Sequence, residues 1–141
     1  MSTSSKHLDA QLAGVPLLAH LSKRQRHRLL DESRVVRHDP GRQLAAEGEM
    51  ALALHVLLSG RAAVSVNGRE LRRLGPGDYF GEISLIDGRP RSATVTASEP
   101  TETLAVPHVA FSSLLQSEPE CARDLLQVLC ARLRDAESRP A

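Results

Sequence analysis

Aromatic side chains are nearly missing from this chain. Tyr79, Phe80 and Phe111 are the whole set, there is no tryptophan, and the three make up 2% of 141 residues. Any planar ligand must therefore be held by something other than an aromatic cage. Cysteine is also scarce: Cys121 and Cys130 are the only two, and nine helical steps of ~100° turn them to nearly opposite faces. That geometry excludes a disulfide between them, and two cysteines are too few for a structural zinc site. Neither sign of charge is in excess. Eighteen Lys+Arg against 17 Asp+Glu leave +1, without the positive field of a dedicated nucleic-acid binder. No run approaches the ~20 apolar residues of a membrane-spanning helix. Residues 1–14, with Lys6, His7, Asp9 and Gln11, lack the apolar stretch of a signal peptide. The expectation is a cytoplasmic protein with no nucleic-acid partner and no membrane span.

Catalytic groupings are missing too. The six histidines stand at 7, 20, 27, 38, 55 and 108 without a His-x-His pair, so the metal cluster of a cupin-type enzyme has no ligands here. No P-loop or catalytic loop is present. After the predicted last helix only Ser138–Ala141 remain, so no helix-turn-helix reader is expected. A non-enzymatic domain without metal or cofactor is expected.

The composition that is present, 41% apolar and 25% charged, fits one globular domain spanning residues 1–141. Residues 1–33 read as an N-terminal helical segment. Leu8, Leu12, Val15, Leu17, Leu18 and Leu21 recur at helical spacing, interrupted by Gly14 and Pro16. Ser22 and Gln25 form a capping box that opens a second helix to about Ser33. The basic residues Lys23, Arg24, Arg26, His27 and Arg28 in it read as a solvated face.

Residues 34–107 read as a β-barrel, because β-branched and leucine-rich runs alternate with glycines at 41, 48, 60, 68, 75, 77, 81 and 88. The predicted strands are 35–38, 43–46, 54–58, 62–66, 70–74, 93–97 and 103–106. Asn67-Gly68 is a type I′ hairpin signal. Residues 108–137 turn helical again, first over 109–115 and then over about 118–137. A second capping box is expected at Ser117 and Glu120. Ala122, Leu125, Leu126, Leu129, Leu133 and Ala136 would form one apolar stripe.

The chemistry is concentrated in Gly75–Ala97, GPGDYFGEISLIDGRPRSATVTA. A short helix over 82–86 would offer unpaired backbone N–H groups to an anion, and Gly81 would let a ligand approach the backbone. Arg91 can grip phosphate oxygens in bidentate fashion. Glu82 would repel a bare phosphate but could accept a hydrogen bond from a sugar hydroxyl attached to one. On residue chemistry alone, an internal Glu82–Arg91 ion pair that holds the turn explains the same pattern.

Phe80-Gly81-Glu82-Ile83-Ser84-Leu85, followed by Arg89-Pro90-Arg91-Ser92-Ala93-Thr94-Val95, resembles the phosphate-binding cassette of the cyclic nucleotide-binding domain family. Val15-Pro16-Leu17-Leu18, Pro40-Gly41, Glu47-Gly48-Glu49, Leu57-Leu58-Ser59-Gly60 and Gly75-Pro76-Gly77-Asp78 extend the similarity over residues 10–137. The resemblance implies a mainly β fold: a double-stranded β-helix (jelly-roll) barrel with N-terminal helices, a cassette at 80–93 containing a short helix, and two C-terminal helices.

It further implies a cyclic nucleotide as ligand, in place of a cofactor. Arg91 would hold the exocyclic phosphate oxygens and Glu82 the ribose 2′-hydroxyl, with Gly81, Ile83, Ser84, Ser92 and Ala93 lining the cassette. Arg132 would be the lid arginine of the last helix, with Arg134 as runner-up. Val64 and Leu74 would face the base. Ser92, where members that prefer cGMP often present threonine, favours cAMP over cGMP. The last helix could also carry a homodimer or effector contact. The competing expectation is a barrel that keeps the fold but binds no nucleotide and serves protein interaction.

Overall fold

The computed structural model describes residues 5–138, excluding the side chains of Ser5, Lys6, Ile83 and Ser84. The two cassette side chains expected at Ile83 and Ser84 therefore lie outside the described residues. Helix α1 (Ser5–Ala13) stops at Gly14, and Pro16–Leu18 form one 3₁₀ turn. Leu8, Leu12, Val15, Leu17, Leu18 and Leu21 are all buried, as their spacing requires. Ser22 caps α2 (Lys23–Asp31): its Oγ accepts the Gln25 N–H at 3.2 Å while Gln25 Oε1 accepts the Ser22 N–H at 2.7 Å. Of the basic run, Arg26 is bound to Asp9 at 2.8 Å, whereas Lys23, Arg24 and Arg28 are exposed.

The described residues then form eight strands: β1 (Arg34–His38), β2 (Gln43–Ala45), β3 (Ala53–Ser59), β4 (Ala62–Val66), β5 (Arg69–Leu74), β6 (Tyr79–Phe80), β7 (Thr94–Ala97) and β8 (Thr101–Pro107). They pair antiparallel in two four-stranded sheets, β1-β8-β3-β6 and β2-β7-β4-β5. This is the jelly-roll architecture flanked by helices. Asn67 and Gly68 have φ of 52° and 79°, so the β4–β5 turn has the two positive φ values of a type I′ hairpin.

Alternation along β3 divides the core in two. Leu54, Val56 and Leu58 face the helices and join Leu12, Leu18, Phe111 and Leu125. Leu57 faces the barrel interior with Ala45, Ala62, Val64, Leu74, Phe80 and Val95. Because several of these interior side chains are small, the two sheets do not fill the space between them on the cassette side.

α3 (Glu82–Asp87) follows β6, and α4 (His108–Ser117) and α5 (Pro119–Ser138) complete the chain. Two expectations for α5 are corrected. Ser117 is the last residue of α4, so the Ser117–Glu120 capping box does not form. Glu118 precedes a proline, which disfavours helical backbone, and its φ of −124° and ψ of 87° make it the break between the helices. The apolar stripe is also displaced. Cys121 and Leu125 are buried and Val128 and Leu129 half-buried, but Leu126 and Leu133 are 61% and 60% exposed. The face turned to the barrel continues from Leu125 through Val128 and Leu129 to Arg132. Cys121 and Cys130 are free thiols, one buried and one exposed.

Candidate functional site

β6 is only two residues long, yet it sets both sides of the site. Tyr79 points towards the helices and Phe80 into the barrel, after which Gly81 turns the chain into α3. Gly81 has φ of 99°, and a Cβ there would lie 2.8 Å from the Ala53 carbonyl oxygen and 3.3 Å from Arg91 Nη1. Any side chain at 81 would therefore collide with the backbone at the start of β3 and crowd the guanidinium that crosses it.

Arg91 is positioned through its backbone. Its N–H donates to the Glu49 carbonyl at 2.8 Å, and its own carbonyl accepts the Gly48 N–H at 3.0 Å. The Glu47-Gly48-Glu49 turn is itself braced, since the Glu47 N–H donates to Thr94 Oγ1 at 3.1 Å and Glu47 Oε1 accepts the Asn67 N–H at 2.8 Å. The guanidinium has no direct hydrogen bond or ion pair of its own among the described residues. Burial lowers its pKa, opposed by the charges of Glu49 and Glu82, and an arginine in that state remains cationic. A half-buried guanidinium without a direct partner, beside a hollow, suits an incoming anion.

Glu82 is the complementary group. Its side chain is 3% exposed, Oε1 accepts Arg132 Nη1 at 2.6 Å, and Oε2 is buried with no hydrogen-bond partner. The Glu82–Arg91 ion pair weighed from the sequence is absent among the described residues; Arg132 of α5 takes that place. An ionised carboxylate this deeply buried needs its cation, and removing one member of such a pair costs about 3–5 kcal/mol. Oε2 remains free to accept a hydroxyl donor.

Gly81, Glu82, Arg91, Ser92 and Ala93 border one half-open hollow of about 50 Å³, with Ala45, Val64, Phe80 and Val95 as its apolar lining. An apolar lining with a few convergent polar groups is the character of a small-molecule site. Arg132 reaches it through Glu82, whereas Arg134 is exposed and makes no contact there. Leu74 is buried in the barrel core and does not border the hollow. Sequence reasoning missed Arg72, which also borders it and feels the charges of Arg132, Glu82 and Asp78. Strand alternation could have found it, because Arg72 shares a face with the inward Leu74 and stands opposite Val64.

Behind Phe80 lies a second polar cluster. The His55 ring stacks on Phe80 at 5.0 Å between centroids. His55 Nδ1 and His38 Nε2 both meet Thr103 Oγ1, at 3.1 and 3.0 Å. Burial, then the charges of Arg91 and His38, depress the His55 pKa to about 4. The folded state therefore holds His55 neutral while the unfolded chain protonates near 6.5, so the unfolded state binds more protons across that window. Stability should fall as pH drops from about 6.5 to 4, by up to about 3 kcal/mol from this group. Thermal melts of wild type and His55→Leu at pH 7 and pH 5 test this, with the larger loss expected in wild type; equal losses would refute it.

The sequence model described as cyclic nucleotide-binding domain matches residues 35–118. The cGMP-dependent protein kinase of Toxoplasma gondii is 40% identical over 95 residues, covering 67% of this chain and 10% of that protein. The cyclic AMP receptor protein of Thermus thermophilus is 36% identical over 102 residues, covering 69% of this chain and 47% of that protein. Among solved structures, the Thermus thermophilus catabolite activator protein superposes with a TM-score of 0.76 at 32% identity, over 86% of this chain and 60% of that one. The regulatory domain of Toxoplasma gondii PKA with cAMP gives 0.79 at 25% identity, over 90% of this chain and 49% of that one. The chain thus spans a tenth to about half the length of these two curated relatives.

Proposed function

Because the chain belongs to the cyclic nucleotide-binding domain family, we propose that it binds a cyclic nucleotide in the hollow of its barrel, cAMP in preference to cGMP, and signals by repositioning its helices. The observation that carries this reading is the pairing of a buried carboxylate whose Oε2 is unpartnered with a guanidinium free of direct partners at the same hollow. A cyclic phosphate presents two exocyclic oxygens to the fork of Arg91, assisted by the backbone of Ser92 and Ala93. The ribose hydroxyl donates to Glu82 Oε2, and the base lies against Val64 and its apolar neighbours. The chemistry is binding and not catalysis, and the setting is cytoplasmic. Among the described residues no helix is long and apolar enough to cross a membrane.

Signalling follows from the clasp between Arg132 and Glu82. A ligand that hydrogen-bonds Glu82 acts on the carboxylate that anchors α5, so its affinity differs between clasped and released helix, and that difference drives the shift in population. The exposed line Leu126, Cys130 and Leu133 on the outer face of α5 is where a second copy or an effector would engage. Deleting residues 130–141 removes Arg132 and the distal half of α5 and should speed nucleotide dissociation if that helix closes the site. An unchanged off-rate in stopped-flow displacement would count against the clasp.

Calorimetric titration of ligand-stripped protein with cAMP and, separately, cGMP tests the whole reading. Saturable binding at micromolar concentration or tighter, with cAMP the tighter ligand, is expected. No heat and no thermal stabilisation with either nucleotide would replace this function with that of a protein-interaction barrel acting through α5.

A further inference from the structure

The path from Glu82 to α5 runs over a residue that neither the sequence pattern nor the binding reading uses. Tyr79 is 6% exposed and sits in the core between barrel and helices. The Arg132 guanidinium carbon lies 5.8 Å from its ring centroid, while Nη1 of the same group reaches Glu82 Oε1 at 2.6 Å. A guanidinium is planar and stacks well on an aromatic face, where the ring quadrupole attracts it. The phenol oxygen of Tyr79 is buried without a hydrogen-bond partner, so the hydroxyl contributes nothing visible to the seat. Burial, then the Glu82 charge, raises its pKa and keeps the phenol neutral beneath the cation.

We propose that Tyr79 is a positioning residue: its ring is the platform that holds the Arg132 guanidinium in line with Glu82 and so fixes the distal half of α5 on the cassette. The inference deepens the clasp described above but does not need a nucleotide to be present. Arg132 has several rotatable bonds, and without a surface beneath it the side chain would sample solvent, since it is already 30% exposed. Tyr79 is tied to the cassette by sequence, three residues before Glu82, so ring and carboxylate move as one unit.

Backbone hydrogen exchange of α5 in the nucleotide-free full chain tests this. Tyr79→Leu should accelerate exchange over residues 128–138 between about twofold and thirtyfold, the range of cation–π strengths from exposed to desolvated sites. Tyr79→Phe should match wild type. Arg132→Gln should accelerate the same amides, and adding Tyr79→Leu to it should add little, because the ring acts through that arginine. Additive effects, or exchange unaltered by Tyr79→Leu, would overturn the proposal. Should Tyr79→Leu fail to fold, the wild-type spectrum decides. Arg132 side-chain protons, assigned by their loss in Arg132→Gln, should be shifted upfield by the ring, and unshifted resonances would overturn the proposal. A failure of nucleotide binding would touch the functional reading alone.

Discussion

Replacing Arg91 with alanine should lower affinity for a cyclic nucleotide at least a hundredfold, to below calorimetric detection, while leaving the nucleotide-free protein as stable as wild type. The two halves of this result have separate causes. A phosphate gripped by a guanidinium fork gains two charge-assisted hydrogen bonds at about 1.5–3 kcal/mol each, and their sum exceeds the roughly 2.8 kcal/mol that corresponds to a hundredfold. Stability should be spared because the cassette at position 91 is held by its backbone, on Glu49 and Gly48, and the side chain has no direct partner to lose. Arg91→Lys retains the charge without the fork and should fall between the two. Titration and thermal melts of both variants check this; an Arg91→Ala protein that binds as wild type would remove Arg91 from the site.

Gly60→Ala should be the most damaging small substitution in the barrel, costing about 3 kcal/mol or more. Gly60 adopts φ of 89°, and a Cβ there would lie 2.4 Å from the Pro100 carbonyl oxygen, 2.5 Å from Thr101 Oγ1 and 2.6 Å from Thr101 Cα. Two of these atoms are backbone, and Thr101 Oγ1 is itself engaged with the carbonyls of Arg61 and Glu99 at 3.1 and 2.8 Å. The β3–β4 turn is therefore wedged against the β7–β8 turn and neither can give cheaply. Gly68 offers the control, since its φ of 79° opens onto empty space. Gly68→Ala should show only the cost of the positive φ, about 1 kcal/mol. Melting temperatures should separate the two variants by several degrees; equal values would mean that the turns are not in contact.

The parts of this molecule that were legible in the sequence are those whose physics is local. Ser22 and Gln25 complete each other within one turn, Asn67-Gly68 meets the φ requirement of its own hairpin, and the cassette runs unbroken from β6 to β7. What escaped depends on longer or shorter scales. Two residues of β6 are too few to show alternation, so Tyr79 and Phe80 gave no strand signal. Ser117 matched a capping pattern, but the proline after Glu118 decides where the helix can begin. Apolar spacing does not distinguish the faces of α5, because Leu126 and Leu133 are as apolar as Leu125. Only the position of the barrel and of Glu82 distinguishes the inward face. Arg72 was passed over because an arginine on an otherwise exposed edge strand reads as solubilising charge.

If the helices signal as proposed, the bond from Arg132 to Glu82 makes α5 and the hollow two ends of one equilibrium, and such coupling is reciprocal. Whatever factor a nucleotide applies to the detachment of α5, a protein that seizes the detached helix applies to nucleotide affinity. The dissociation constant of this chain in isolation is then one value in a series, each set by what holds the helix. A partner that binds the nucleotide-free chain twentyfold more tightly than the nucleotide-bound one would weaken nucleotide binding by the same twentyfold, without touching the barrel.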